Sequence, residues 1–105
     1  MNPDLLRGNL ELILLTLLER QPLYGFAIIG EARTRTDGYF EFREGSLYPA
    51  LHRLERAGFL SAAQTQPARG GPPVKTYLLT ATGRTELRRR REGYAAFDRA
   101  LRSLW

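Results

Sequence analysis

The sequence predicts a mainly α-helical fold with one small β-hairpin, on three observations. Three stretches before residue 58 carry apolar residues at helical spacing. Residues 59–80 switch to a two-residue period around a tip rich in glycine and proline. Residues 81–105 return to a helical pattern with a seam of apolar positions. Helix, helix, helix, hairpin, long helix is the order of a winged helix-turn-helix with an appended helix. It divides into a winged domain over residues 1–80 and a dimerisation helix over residues 81–105.

The first helix is expected over residues 5–20. Leu10, Leu12, Ile13, Leu14, Leu15, Leu17 and Leu18 cover nearly its whole circumference, so it must be buried on more than one side, and a second subunit is a natural cover. Gln21-Pro22 is expected to end it, because the residue before proline disfavours helical backbone. A second helix is expected over 24–35, with Phe26, Ile28, Ile29 and Ala32 as its apolar positions and Asp37-Gly38 as its exit. Tyr39 to Arg43 alternates and reads as a very short strand or an extended linker.

The third helix, over 45–57, has two incompatible faces. At about 100° per residue, Leu47, Ala50, Leu51, Leu54 and Ala57 gather on one side, and Gly45, Pro49, His52 and Arg56 on the other, flanked by Tyr48 and Arg53. Leucines anchor it, and a phenol, an imidazole and two guanidiniums point outward, groups suited to a DNA major groove. Taken alone, a surface amphipathic helix accounts for it equally well. Gly58 suits a left-handed C-cap. Strands follow at 59–64 and 74–79, joined by Thr65 to Pro73, which makes the wing. Thr80 caps the last helix, whose apolar positions Leu87, Tyr94, Phe97, Leu101 and Leu104 form a seam with Arg90 in one slot. Such a seam most simply pairs with a second copy, with Leu10 and Leu14 of the first helix contributing.

Composition excludes several functions. The chain has 105 residues, no cysteine and one histidine, which removes disulfides, thiolate chemistry and histidine-based metal sites or triads. No carboxylate pair sits in an apolar setting suited to general acid–base work, so no enzyme and no cofactor is expected. No apolar run reaches the ~18 residues of a membrane span and no secretory leader pattern is present, so a cytoplasmic location away from membranes is expected. The net charge of +5 is uneven: residues 1–83 carry 9 basic and 8 acidic groups, whereas residues 84–105 carry 7 arginines against 3 acids. A basic chain favours an acidic partner such as nucleic acid. Winged helices also serve as protein-docking modules, and fold alone does not separate the two uses.

Several strings in this order resemble the PadR-like transcriptional regulators. They are Leu6-Arg7-Gly8-Asn9-Leu10-Glu11-Leu12, Leu23-Tyr24-Gly25-Phe26, Glu44 to Glu55 (EGSLYPALHRLE), Gly70-Gly71, Lys75 to Thr80 (KTYLLT) and Gly83. The single short C-terminal helix looks like the compact subfamily. The resemblance implies a homodimeric repressor on double-stranded DNA with an inverted-repeat operator, released by a small hydrophobic or aromatic effector. It also implies that Tyr94, with Phe97 nearby, lines a pore between two C-terminal helices where that effector would sit. One departure matters: where family wings carry two or three basic residues after the glycines, this chain has Pro72-Pro73-Val74. Only Arg69 and Lys75 remain as basic groups of the wing, which should make fewer phosphate contacts.

The expected DNA-facing residues are Tyr24, Gly25, Ser46, Tyr48, Pro49, His52, Arg53, Arg69, Gly70, Gly71 and Lys75. Each has an alternative. Tyr48 could donate to a phosphate or pack against Leu51. Ser46 could donate to phosphate or cap the third helix. Pro49 could touch a thymine methyl or simply preorganise an early helical turn. Arg53 and His52 could read DNA or stay solvated, and Tyr24 and Gly25 could offer a helix N-terminus to phosphate or serve packing. The glycines of the wing could be turn residues alone, and Tyr77 reads as core. The run Arg88 to Arg91 spreads around its helix and reads as a solvated surface, with Arg90 placed to pair with Glu86 or Glu92 of a partner subunit.

Overall fold

The computed structural model describes residues 2–105 and has the element order α1 (Pro3–Leu17), β1 (Leu23–Tyr24), α2 (Gly25–Arg35), α3 (Glu44–Arg56), β2 (Leu60–Thr65), β3 (Val74–Leu79) and α4 (Ala81–Ser103). The mainly helical winged arrangement is thus present, with one addition. Leu23 and Tyr24 do not open α2 but form a third strand against Tyr77 and Thr76 of β3, giving an antiparallel sheet in the order β1-β3-β2. The β2–β3 hairpin runs in register from Leu60–Leu79 to Thr65–Val74.

Asn2 sets the start of α1 earlier than the periodicity placed it. Its side-chain oxygen accepts the amides of Asp4 (2.8 Å) and Leu5 (3.3 Å), with Pro3 in the first helical position. The helix ends at Leu17, before Gln21-Pro22, and Leu18 follows it into the core. Asp37 and Gly38 take positive φ after α2, and Gly58 does so after α3, as the exit and cap signals require. No strand forms over Tyr39–Arg43. The alternation there reflects two aromatic anchors, the buried Phe42 and the half-buried Phe40, whose rings stack at 6.4 Å.

One apolar cluster holds the winged domain together. Leu14, Leu15 and Leu18 from the α1 region meet Ile28 of α2, Leu47, Leu51 and Leu54 of α3, Tyr77 of β3 and Leu87 of α4, all fully covered. This corrects part of the expected seam. Leu14 and Leu87 are packed inside a single chain and have no surface left for a second copy, and Leu10 is mostly buried, with only its edge on the groove beside α4. Phe26 is corrected in the opposite sense: it lies outside the core, because the buried face of α2 is formed by Gly25, Ile28 and Ala32.

The joint between wing and α4 is tight. Thr80 accepts the Gly83 amide (2.9 Å) and donates to the Gly58 carbonyl (2.7 Å). A Cβ at Gly83 would run into the backbone carbonyl of Phe59. Beyond Leu87 no residue of α4 is buried, and the molecule extends to 52 × 29 × 22 Å.

Candidate nucleic-acid interface

The periodicity of α3 delivers the two faces it promises, except that Ala57, expected on the apolar side, follows the helix as its C-cap and is exposed. Leu47, Ala50, Leu51 and Leu54 are buried, while Gly45, Ser46, Pro49, His52, Arg53 and Arg56 are exposed. The beginning of the helix differs from expectation. Arg43 occupies the N-cap without a side-chain hydrogen bond, so Ser46 does not cap α3, and its exposed hydroxyl is left over. Because α3 starts at Glu44, Pro49 falls in the second turn instead of the first. Its missing N–H deprives the exposed Gly45 carbonyl of its helical donor.

Tyr48 and Gly25 are brought together. The Tyr48 ring lies across the first residue of α2, and a Cβ at Gly25 would overlap it. Tyr48 therefore packs against Gly25, joining the second turn of α3 to the first residue of α2. Its phenol stays a proton donor: burial first, then the carboxylate of Glu44 and the phenol of Tyr77, push its pKa above the ordinary value.

Tyr24 is the N-cap of α2, again without a side-chain hydrogen bond. By contrast α1 and α4 are capped by their own side chains, Asn2 and Thr80. The starts of α2 and α3 thus lack a side-chain cap, and at α3 the Ser46 and Leu47 amides turn back onto the Arg43 carbonyl (3.1 and 3.0 Å).

The cations divide into committed and uncommitted groups. Arg53 binds Glu11 of α1 through Nε (3.0 Å). The same Glu11 takes Arg90 of α4 (2.9 Å), and Arg90 also holds Glu86 (2.6 Å). The ion pair foreseen between Arg90 and a partner subunit is therefore made within the chain. Arg89 also pairs with Glu86 (2.7 Å) and Arg91 with Glu19 (2.8 Å), which consumes most of the arginine run. Lys75 pairs with Glu55 (3.1 Å) and sits 5.2 Å from the Tyr77 ring centre. Arg43, Arg56 and Arg69 have no carboxylate in ion-pair range among the described residues. Arg56 was visible on the outward face of the helix and is a further candidate contact there.

At the wing tip Gly70 and Gly71 have φ of 86° and 98°, so the turn itself demands glycine. The Gly70 amide donates to the Pro67 carbonyl (2.9 Å), and the Gln66 side chain donates to the Gly71 carbonyl. The Arg69 guanidinium lies over the Tyr24 ring.

At the other end of the molecule, α4 carries an unpartnered apolar stripe. Tyr94 is 53% exposed, Phe97 57%, Leu104 82% and Trp105 80%. Leu104 and Trp105 follow the last turn of α4, with the Arg102 guanidinium 5.4 Å from the Trp105 ring centre. Tyr94, Phe97 and Leu101 line a groove of about 610 Å³ against Leu5, Leu10 and Glu11 of α1. Tyr94 also forms the rim of a second groove of about 440 Å³ between α1, α2 and Phe40. Among the described residues, no group of His, Asp or Glu side chains is arranged to hold a metal ion, and no helix is long and apolar enough to cross a membrane.

Comparison with known proteins agrees with this architecture. The model of the transcriptional regulator PadR-like family matches residues 14–89. An uncharacterized protein of Lysinibacillus sphaericus is 33% identical over 84 residues, covering 80% of this chain and 76% of its own length. A transcriptional regulator from Clostridium thermocellum shares the fold with a TM-score of 0.87 at 24% identity, over 98% of this chain and 96% of that one. A PadR family transcriptional regulator from Eggerthella lenta gives a TM-score of 0.83 at 27% identity, over 96% and 85%.

Proposed function

The chain belongs to the PadR-like family of transcriptional regulators, and from that membership we propose that it is a cytoplasmic repressor. It binds a palindromic promoter site on double-stranded DNA as a homodimer, and a small hydrophobic or aromatic effector releases it. As a transcriptional regulator it is not an enzyme.

The observation that carries the DNA reading is the Tyr48 phenol, which α3 holds against Gly25 at the uncapped start of α2, beside the outward face of α3. The helix start at Gly25 suits phosphate, and the phenol adds a neutral donor beside it. Ser46, Pro49, His52 and Arg56 project from the same helix toward base edges. Arg53 reaches DNA by exchanging Glu11 for a phosphate. Tyr24, Gly25, Arg69, Gly70, Gly71 and Lys75 complete the interface. The exposed stripe of Tyr94, Phe97, Leu101 and Leu104 supports the homodimer, and the groove it shares with α1 supports an effector site at Tyr94 and Phe97.

Selection of duplexes from a random double-stranded library tests the reading. The enriched sequence should be an inverted repeat bound with a dissociation constant of about 10⁻⁸ M or tighter. Log affinity should fall with log salt by about 0.9 per phosphate contact. If Tyr48→Ala combined with Arg53→Ala leaves that affinity within about twofold, α3 is not the recognition helix, since two lost charge-assisted contacts should cost far more. Failure to enrich any sequence would instead favour a winged helix that docks on protein.

A further inference from the structure

Phe26 has no packing reason to be aromatic. It stands in the first turn of α2, 63% exposed, turned away from Ile28 and Ala32. Yet the Arg69 guanidinium, from the distant wing tip, lies 5.9 Å from its ring centre and 5.7 Å from that of Tyr24. We propose that Phe26 is a positioning residue for Arg69: with Tyr24 it forms an aromatic seat that holds the wing tip against the start of α2 and fixes where the wing's one uncommitted cation meets DNA. The second half of this inference rests on the DNA-binding function proposed above.

Three features of the wing support it. Lys75 is occupied by Glu55, so Arg69 alone of the wing's basic groups has no carboxylate partner among the described residues. The tip is internally stiff, through the Gly70–Pro67 and Gln66–Gly71 hydrogen bonds and three prolines, so fixing Arg69 fixes the whole tip. Finally, a cation–π contact holds a guanidinium without engaging its N–H donors in an ion pair. A carboxylate partner would consume those donors, whereas two aromatic rings restrain the side chain and keep it competent for phosphate. A wing poor in basic groups gains most from having its remaining arginine preplaced.

The seat can be read without DNA. Trypsin cleaves after Arg69 only when the tip is free of α2, and the nicked product is identified by mass. Phe26→Ala and Phe26→Leu should accelerate this cleavage roughly two- to fivefold, the range set by an exposed cation–π contact. Phe26→Tyr should cleave at the wild-type rate. Since Phe26 is outside the core, thermal melts of all three should match the parent. Unchanged cleavage in Phe26→Ala, or equal effects of Tyr and Leu, would overturn the seat whatever the chain binds.

The positioning role is read on the library-selected duplex. Phe26→Ala should weaken binding about two- to fivefold with Arg69 present and not at all in an Arg69→Ala background. Equal losses in both backgrounds would overturn it. A wild-type chain that selects no duplex would overturn the proposed function and with it the positioning role, while the cleavage result would still decide the seat.

Discussion

At the residue scale, the pair Tyr48 and Gly25 explains more than either residue alone. Gly25 is required by space, since its φ is ordinary helical backbone and only the ring of Tyr48 forbids a side chain there. Gly25→Ala should therefore destabilise the fold by about 1–3 kcal/mol, as overpacked sites do. Denaturant titration measures this, and Tyr48→Ala in the same chain should recover part of the loss. Tyr48→Phe keeps the packing and removes only the hydroxyl. Its effect belongs to binding: roughly a tenfold weaker complex with the selected duplex, the value of one hydrogen bond to a charged group, with an unchanged melting temperature. An equal loss of stability and affinity would mean that the phenol serves packing alone. Both residues were legible as special in the sequence, Gly25 at a helix start and Tyr48 on a helix shoulder. Their contact was not, because nothing in the local pattern of either helix states how the two cross.

At the element scale, α4 is fastened to the winged domain by Gly83, Leu87 and a network of carboxylates and guanidiniums. Arg89 and Arg90 hold the Glu86 carboxyl down at about 2, from an ordinary 4.5. Glu11 is also lowered, against its own desolvation, by hydrogen bonds from Arg90 and Arg53, and Glu19 is lowered chiefly by Arg91. These groups are depressed in the folded state, so their contribution is complete above the unfolded value. It fades as pH falls from about 4.5 toward 2, where the unfolded chain takes up protons that the folded chain refuses. Thermal melts across this window should show a falling midpoint, and Glu86→Gln should flatten the fall. A midpoint with the same pH slope in the variant would remove Glu86 from the account. Spacing within α4 made the Glu86 pairs legible. The links of Glu11 and Glu19 to α4 were hidden, because each joins residues more than seventy positions apart. Separation of more than fifty positions likewise hid β1: two residues have no periodicity, and their partner strand is β3.

For the whole molecule, shape is the informative property. The radius of gyration is 14.6 Å, against about 13 Å for a compact domain of this length. The excess comes from α4, which at 1.5 Å per residue runs to about 35 Å and projects an apolar stripe into solvent. If that stripe is a homodimer seam, Tyr94→Asp with Phe97→Asp should shift the sedimenting species from dimer to monomer at micromolar concentration. The fold of the winged domain should survive, since neither residue enters its core. A wild-type chain that already sediments as a monomer would reject the homodimer. DNA affinity should fall with the dimer, because a palindrome rewards two linked recognition helices.

Periodicity, capping residues and turn glycines determined the order of elements, the buried face of α3 and the left-handed turns at residues 38, 58, 70 and 71. These are local consequences of side-chain spacing and backbone sterics, and a linear string states them. The family strings added what local physics could not, a reading of the outward face. Only the tertiary structure decided which apolar residues were spent inside one chain, and it took Leu14 and Leu87 from the expected seam while leaving Tyr94, Phe97, Leu101 and Leu104 outside. It also decided which cations were free, committing Arg53, Lys75 and Arg90 to carboxylates and leaving Arg56 and Arg69 without one. Burial and ion pairing depend on which distant segments meet, and that is fixed only when the whole core closes.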